Sequence, residues 1–323
     1  MSQPRISLAR IEHAQSVIDP VFLNSPQVSF GPLNEALGCN LLLKVETLNP
    51  IRCFKGRGAD LALADLAADP TATRQIVCAS AGNFGQAMAY SGAKRGFDVI
   101  VYAAENASPL KVERMRQLGA DVRLFGDDFD TAKSEAKRVA ADTGARMVED
   151  SKDVETAEGA GTIGLELVAG SEAELDAVVV PLGNGALLNG IATAIKAKSP
   201  ATRMVAVQAQ GAPAMIESWR RQTFVETDTI DTIADGIAVR VPVQEALDDM
   251  HGIVDDGLLV SDDDIIDAMR LVHLHTGLVA EPSGAIGVAA IARNRQQFAG
   301  KHVATVICGS NLSAEQLSAW LHQ

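Results

Sequence analysis

The chain has 323 residues, 47% of them apolar and 4% aromatic, with a formal net charge of −13 and a pI near 4.9. That length allows two domains with sizeable cores. The acidity excludes nucleic acid and anionic membrane surfaces, because neutralising phosphates takes clustered Lys and Arg, so a small-molecule partner is expected. No stretch approaches the ~18–20 apolar residues of a membrane span, and the start MSQPRISLARIEHAQ holds no signal-peptide core. Cys39, Cys53, Cys78 and Cys308 are widely spaced and form no C-x-x-C pair, which argues against zinc. The expected address is a reduced cytoplasm.

Taken in order, apolar runs alternate with helical patterns: LLLKV, a helix near Ala59 to Ala68, IVCAS, a helix to Lys94, DVIVYAA, a helix from Leu110 to Leu118, and DVRLFG. After Ala177 the strands AVVVPLG, RMVAVQA and HVATVICG follow, with a helix over Ala186 to Lys198. This βαβα alternation predicts an α/β protein of two doubly wound domains with parallel sheets. Several strands end in glycine turns, and open α/β sheets bind ligands at their carboxyl ends, so the ligand is expected between the domains. The acids Asp248, Asp249, Asp255 and Asp256 and the run Ser261 to Asp264 lack the spacing of a calcium loop and predict helix caps and first turns. His273 and His275 stand two apart, on different faces of a helix, and predict packing or surface roles.

Three segments carry chemistry. Lys55 follows Phe54 and precedes the run Gly56-Arg57-Gly58, predicted to be flexible. A lysine becomes nucleophilic when desolvated or placed near other cations, and Phe54 and Arg57 are positioned in sequence to supply both conditions. The turn Gly183-Asn184-Gly185 lies between a β-branched strand and a helix, where successive N–H groups and the helix N-terminus bind phosphate. Its spacing fits neither a dinucleotide fingerprint nor an NTP loop. The turn Ser80-Ala81-Gly82-Asn83 repeats the design and suits a second anion, such as a carboxylate.

With these residues in view, the chain resembles the threonine and serine dehydratases, pyridoxal-phosphate enzymes of fold type II (the tryptophan-synthase-β group), from about Ile6 onward. Five motifs carry the resemblance in the family's order: K-V-E-x-L-N-P…F-K-x-R-G-A at Lys44 to Ala59, A-S-A-G-N at Ala79 to Asn83, the loop at Gly183 to Leu187, T-I-A-D-G-I-A at Thr232 to Ala238, and E-P-S-G-A at Glu281 to Ala285 before C-G-S-N at Cys308. The resemblance implies a large cofactor-binding domain of residues 1–55 and 150–323, a small domain of residues 56–149, and a homodimer. It further implies pyridoxal 5'-phosphate bound as a Schiff base to Lys55, which then acts as base. Phe54 and Glu281 belong to the same cofactor site. Gly183, Asn184, Gly185, Ala186 and Leu187 hold the phosphate, Asn83 the ring hydroxyl, and Cys308 faces the pyridine nitrogen. Ser80, catalytic by the same resemblance, joins Ala81, Gly82 and Asn83 in receiving the carboxylate of a small amino acid substrate.

The implied reaction is loss of the β-hydroxyl of a threonine- or serine-type substrate to give a keto acid and ammonia. A hydroxyaspartate or another specialised hydroxy amino acid, a β-replacement synthase, and a non-catalytic ligand-binding relative are the alternatives. Departures from the family pattern bear on the substrate: Gly-Asn-Gly-Ala replaces a run of glycines, Phe84 replaces a His, and Cys53 a Ser. Ala81 stands where serine racemases carry a second hydroxyl, so elimination rather than racemisation is expected. Gln208 and Ala214 stand where metal-activated relatives carry acids, so no divalent metal is expected. The chain ends soon after its last motif, and no C-terminal regulatory module is expected.

Overall fold

The computed structural model describes residues 4–321. Among the described residues ten strands form two sheets: β1 (Gln27–Val28), β2 (Asn40–Val45), β3 (Gln75–Ala79), β4 (Asp98–Ala103), β5 (Asp121–Leu124), β6 (Arg146–Met147), β7 (Ala177–Pro181), β8 (Arg203–Ala209), β9 (Asp256–Val260) and β10 (His302–Ile307). The larger sheet runs β1-β2-β10-β7-β8-β9 and the smaller β5-β4-β3-β6. All pairings are parallel except β1 with β2.

Continuous apolar strands follow from burial on both faces. Successive residues of β7 and β10 alternate between two cores: Val179, Val303 and Ile307 on one side, Val178, Val180, Ala304 and Val306 on the other. The smaller sheet repeats this, with Ile76, Cys78, Val99 and Val101 opposite Val77, Ile100 and Tyr102. Helices therefore cover both faces of both sheets, as the βαβα pattern predicted.

Three helices clasp one another through glycines. Lys55–Ala68 packs on Val154–Gly170, which packs on Ala186–Lys198. A Cβ at Gly58 would lie 2.5 Å from the Thr156 carbonyl oxygen, one at Gly159 2.5 Å from that of Arg57, and one at Gly190 2.0 Å from that of Ala157. Gly56-Arg57-Gly58 is thus a buried first helical turn rather than a flexible run. Gly58 there serves close backbone approach, and Gly56 makes room for the Phe22 ring, which a Cβ would meet at 2.2 Å.

Of the acidic positions, Ser261 and Asp264 form a capping box for the helix Asp262–Thr276. Asp248 and Asp249 instead lie in the helix Gln244–Met250, where Asp249 pairs with Arg5, and Asp255 accepts from the Met204 amide at 2.7 Å. Among the described residues no helix is long and apolar enough to cross a membrane.

Candidate active site

The ends of β3, β7 and β10 bring the predicted residues together. Lys55 opens its helix, so its side chain leaves from the N-terminal end, over the Phe54 ring with Nζ 4.7 Å from the centroid. Its ammonium donates to Asp150 Oδ2 at 2.6 Å. Arg57 does not supply the neighbouring cation that its place in the sequence suggested. Two residues on along a helix it faces elsewhere, and its buried guanidinium binds Glu46 and Glu166.

After β7, Gly185 adopts φ +108° and caps the helix Ala186–Lys198. A Cβ there would meet Ala246 Cβ at 2.7 Å, so glycine is required twice over. The Gly183, Asn184 and Gly185 amides donate to no protein atom among the described residues, while the Ala186 amide donates to Ser151 Oγ at 2.9 Å. Asn184 Nδ2 lies 3.5 Å from Asp150 Oδ2, so turn and lysine share a neighbour.

After β3, the Ser80 hydroxyl oxygen accepts from the Gly82 and Gly85 amides at 3.1 and 2.9 Å. With both lone pairs occupied, its proton remains free to donate. The Lys111 ammonium lies over Gly82, 3.7 Å from where a Cβ would stand, and pairs with Asp235. Asn83 Nδ2 donates to Glu281 Oε1 at 2.7 Å, and Asn311 donates to Asn83 Oδ1 at 2.8 Å through Nδ2 and to Glu281 Oε2 at 2.8 Å through its amide. Burial, reinforced by Asp235 and opposed by Lys111, pushes the Glu281 carboxyl up to about 7. Burial also raises the thiols of Cys308 and Cys53, so both stay neutral. Cys308 Sγ donates to the Ser283 carbonyl at 3.3 Å, and the Phe54 amide donates to the Cys308 carbonyl at 3.0 Å.

A family profile described as pyridoxal-phosphate dependent enzyme matches residues 18–309. The chain belongs to the pyridoxal-phosphate-dependent enzymes. Within that family, an L-threonine ammonia-lyase of Thermotoga maritima is 35% identical over 312 residues, spanning 97% of this chain and 77% of that protein. A catabolic L-threonine dehydratase of Staphylococcus aureus is 30% identical over 317 residues, spanning 97% and 91%. The structure of maize serine racemase matches with a TM-score of 0.91 at 28% identity, over 98% of this chain and 96% of the other. The architecture is that of fold type II.

The residues present fit pyridoxal phosphate. A phosphate needs several N–H donors, and three unpaired amides stand in one turn at a helix N-terminus. An aldehyde needs an amine inside a cleft, and the Lys55 side chain is only 15% exposed. Two buried polar atoms beside this region, Asp150 Oδ1 and Ser283 Oγ, have no partner among the described residues. A family cofactor site thus explains amides that the fold itself leaves unsatisfied.

Sequence reasoning missed Asp150, Lys111, Ser151 and Asn311. Asp150 sits in the polar run Glu149 to Asp153, where nothing distinguishes it from surface acids. Asn311 lies in the C-G-S-N motif, which was the available signal. Among the described residues, no group of three or more His, Cys, Asp or Glu gathers as metal ligands.

Proposed function

We propose that this enzyme is an ammonia-lyase that removes the β-hydroxyl of a small threonine- or serine-type amino acid, releasing a keto acid and ammonia. Lys55 carries the reading: an amine at the head of a buried helix, sharing Asp150 with the anion turn. The named relatives, a threonine ammonia-lyase and a threonine dehydratase, support the substrate class.

Lys55 Nζ would hold the cofactor's aldehyde carbon, with Phe54 packed beside it. The amides of Gly183, Asn184 and Gly185, with Ala186 and Leu187 at the helix N-terminus, would hold the phosphate. Asn83, anchored by Glu281 and Asn311, would meet the ring hydroxyl, and the neutral Cys308 thiol the pyridine nitrogen. When bound, pyridoxal phosphate supplies the electron sink that acidifies the substrate's α-hydrogen. Ser80 would donate its hydroxyl proton to the substrate carboxylate, and the amides of Ala81 and Asn83, which meet no protein acceptor among the described residues, would join it. Lys55 Nζ, freed when the substrate amine arrives, takes the α-proton as general base. Ala81 offers no proton donor opposite, which favours elimination over racemisation.

We take residues 1–55 and 150–323 as the cofactor-binding domain and 56–149 as the small domain, a division supported by the two sheets. A cytoplasmic homodimer is part of the proposal. The four free, buried cysteines fit a reduced address. The test is to load the enzyme with cofactor and assay L-threonine and L-serine for keto acid and ammonia. Lys55→Ala should lose the visible absorbance of lysine-bound cofactor and all turnover, with unchanged circular dichroism. Undiminished absorbance in Lys55→Ala would sink the assignment.

A further inference from the structure

We propose that Asp150 is a specificity-determining residue that makes the side-chain end of this site a cation subsite, so that the preferred substrate is a small β-hydroxy amino acid carrying a second amine. This rests on the ammonia-lyase reading and narrows its substrate class.

Asp150 is an acid inside the cleft, its side chain 14% exposed. One oxygen meets Lys55 Nζ at 2.6 Å and Asn184 Nδ2 at 3.5 Å, and the other is buried without a partner. Its neighbour Glu149 is engaged by Lys133, Lys137 and Lys152, so those lysines already have their counter-charge. Lys55 is the one cation paired with Asp150 among the described residues, and the chemistry ties up that amine. Bonded to a cofactor carbon the lysine nitrogen carries one proton in place of three, and once released to act as base it must be the neutral amine. The carboxylate then lacks part of its compensation in a poorly solvated cleft, which is costly unless another cation arrives.

Each end of the substrate can be placed from the same contacts. The α-carboxylate has the Ser80–Asn83 turn, with the Lys111 ammonium over Gly82, and the α-amine takes the place of Lys55. Among the described residues Asp150 bonds to Lys55 and Asn184 and makes no hydrogen bond or ion pair with that turn or with Lys111, so of the substrate's groups the side chain is the one left to meet it. A methyl group there leaves the charge uncompensated. A carboxylate, as in hydroxyaspartate, is repelled by Asp150. An ammonium supplies the missing donors, and hydrogen bonds between charged partners are the stronger kind.

The test uses cofactor-loaded enzyme and three amino acids without a β-leaving group: L-2,4-diaminobutyrate, L-2-aminobutyrate and L-aspartate. Binding is read by calorimetry and by the change in cofactor absorbance. Diaminobutyrate should bind about tenfold or more tighter than aminobutyrate, the size of one charge-assisted hydrogen bond, and aspartate weakest. Asp150→Asn, nearly the same shape, should bring the first ratio to within about threefold of unity. Equal affinities, a preference for aspartate in the wild type, or a preference that survives in Asp150→Asn would overturn the proposal. Should Asp150→Asn fail to load cofactor, the wild-type order decides alone. If no amino acid changes the absorbance, the ammonia-lyase reading itself fails, whereas aminobutyrate binding without preference sinks only the Asp150 assignment.

Discussion

Replacing Arg57 by methionine removes one charge from a closed set of four. Arg57 and Lys44 face Glu46 and Glu166, all buried, and their charges sum to zero. The guanidinium gives Glu46 bonds of 2.9 and 2.8 Å, Glu166 bonds of 2.6 and 2.9 Å, and Thr162 one of 2.8 Å. Although burial opposes it, Arg57 and Lys44 hold Glu166 below the usual carboxylate range. Methionine fills much of the volume but leaves one uncompensated negative charge. The expected loss is about 3–5 kcal/mol, a large share of the ~5–15 kcal/mol that stabilises a typical protein. Converting Glu46 to glutamine in the same chain restores neutrality and should recover about half of that loss or more. Urea unfolding is followed by circular dichroism and by cofactor absorbance, because the two sheets need not unfold together. Absorbance should be lost first, since Arg57 anchors the helix that begins with Lys55. A loss under about 1 kcal/mol in Arg57→Met, within the range of an exposed pair, would refute the argument. So would a double variant no more stable than the single one.

Burial holds the Glu281 proton more tightly in the folded state, at about 7 against an ordinary 4.5. Its contribution to stability is therefore complete below about 4.5 and is lost as pH rises through about 7, by about 3 kcal/mol in all. Thermal midpoints measured across that window should depend less on pH in Glu281→Gln, and an identical slope would count against this assignment. For metals, Gln208 Oε1 accepts from the Ile216 amide at 2.8 Å and the Ala214 carbonyl from the Ser218 hydroxyl at 2.6 Å. Neutral oxygens already engaged give magnesium too little to replace its water. Activity should survive EDTA, and a reversible loss restored by magnesium would contradict this.

The strands and the anion turns were legible because their signals are local. AVVVPLG and RMVAVQA are β-branched runs bounded by turn residues, and strands β7 and β8 fall on them. What stayed hidden depends on which way a side chain leaves its helix or loop. Arg57 lies close to Lys55 in sequence yet turns into a buried ionic cluster, and Gly56 and Gly58 look flexible until the Phe22 ring and the helix Val154–Gly170 close on them. The two-residue strand β1 is too short to show a period, and its antiparallel pairing broke the parallel pattern. Asp150 belongs to no motif at all. Only the approach of Lys55 and Asn184, distant in sequence, marks it.

The glycine clasp separates two properties of the enzyme. Lys55 and Gly185 stand at the heads of two helices held to a third by contacts between main chains. At Gly58, Gly159 and Gly190 main chain meets main chain, so the spacing there is set without side chains. A methyl group at Gly190 would have to displace the Ala157 carbonyl from 2.0 Å and would shift the lysine relative to the phosphate turn. Positions 81 and 150 lie outside the clasp, so a change of residue there leaves its spacing alone. Such a molecule can drift from one amino acid to another while its grip on the coenzyme keeps the same dimensions.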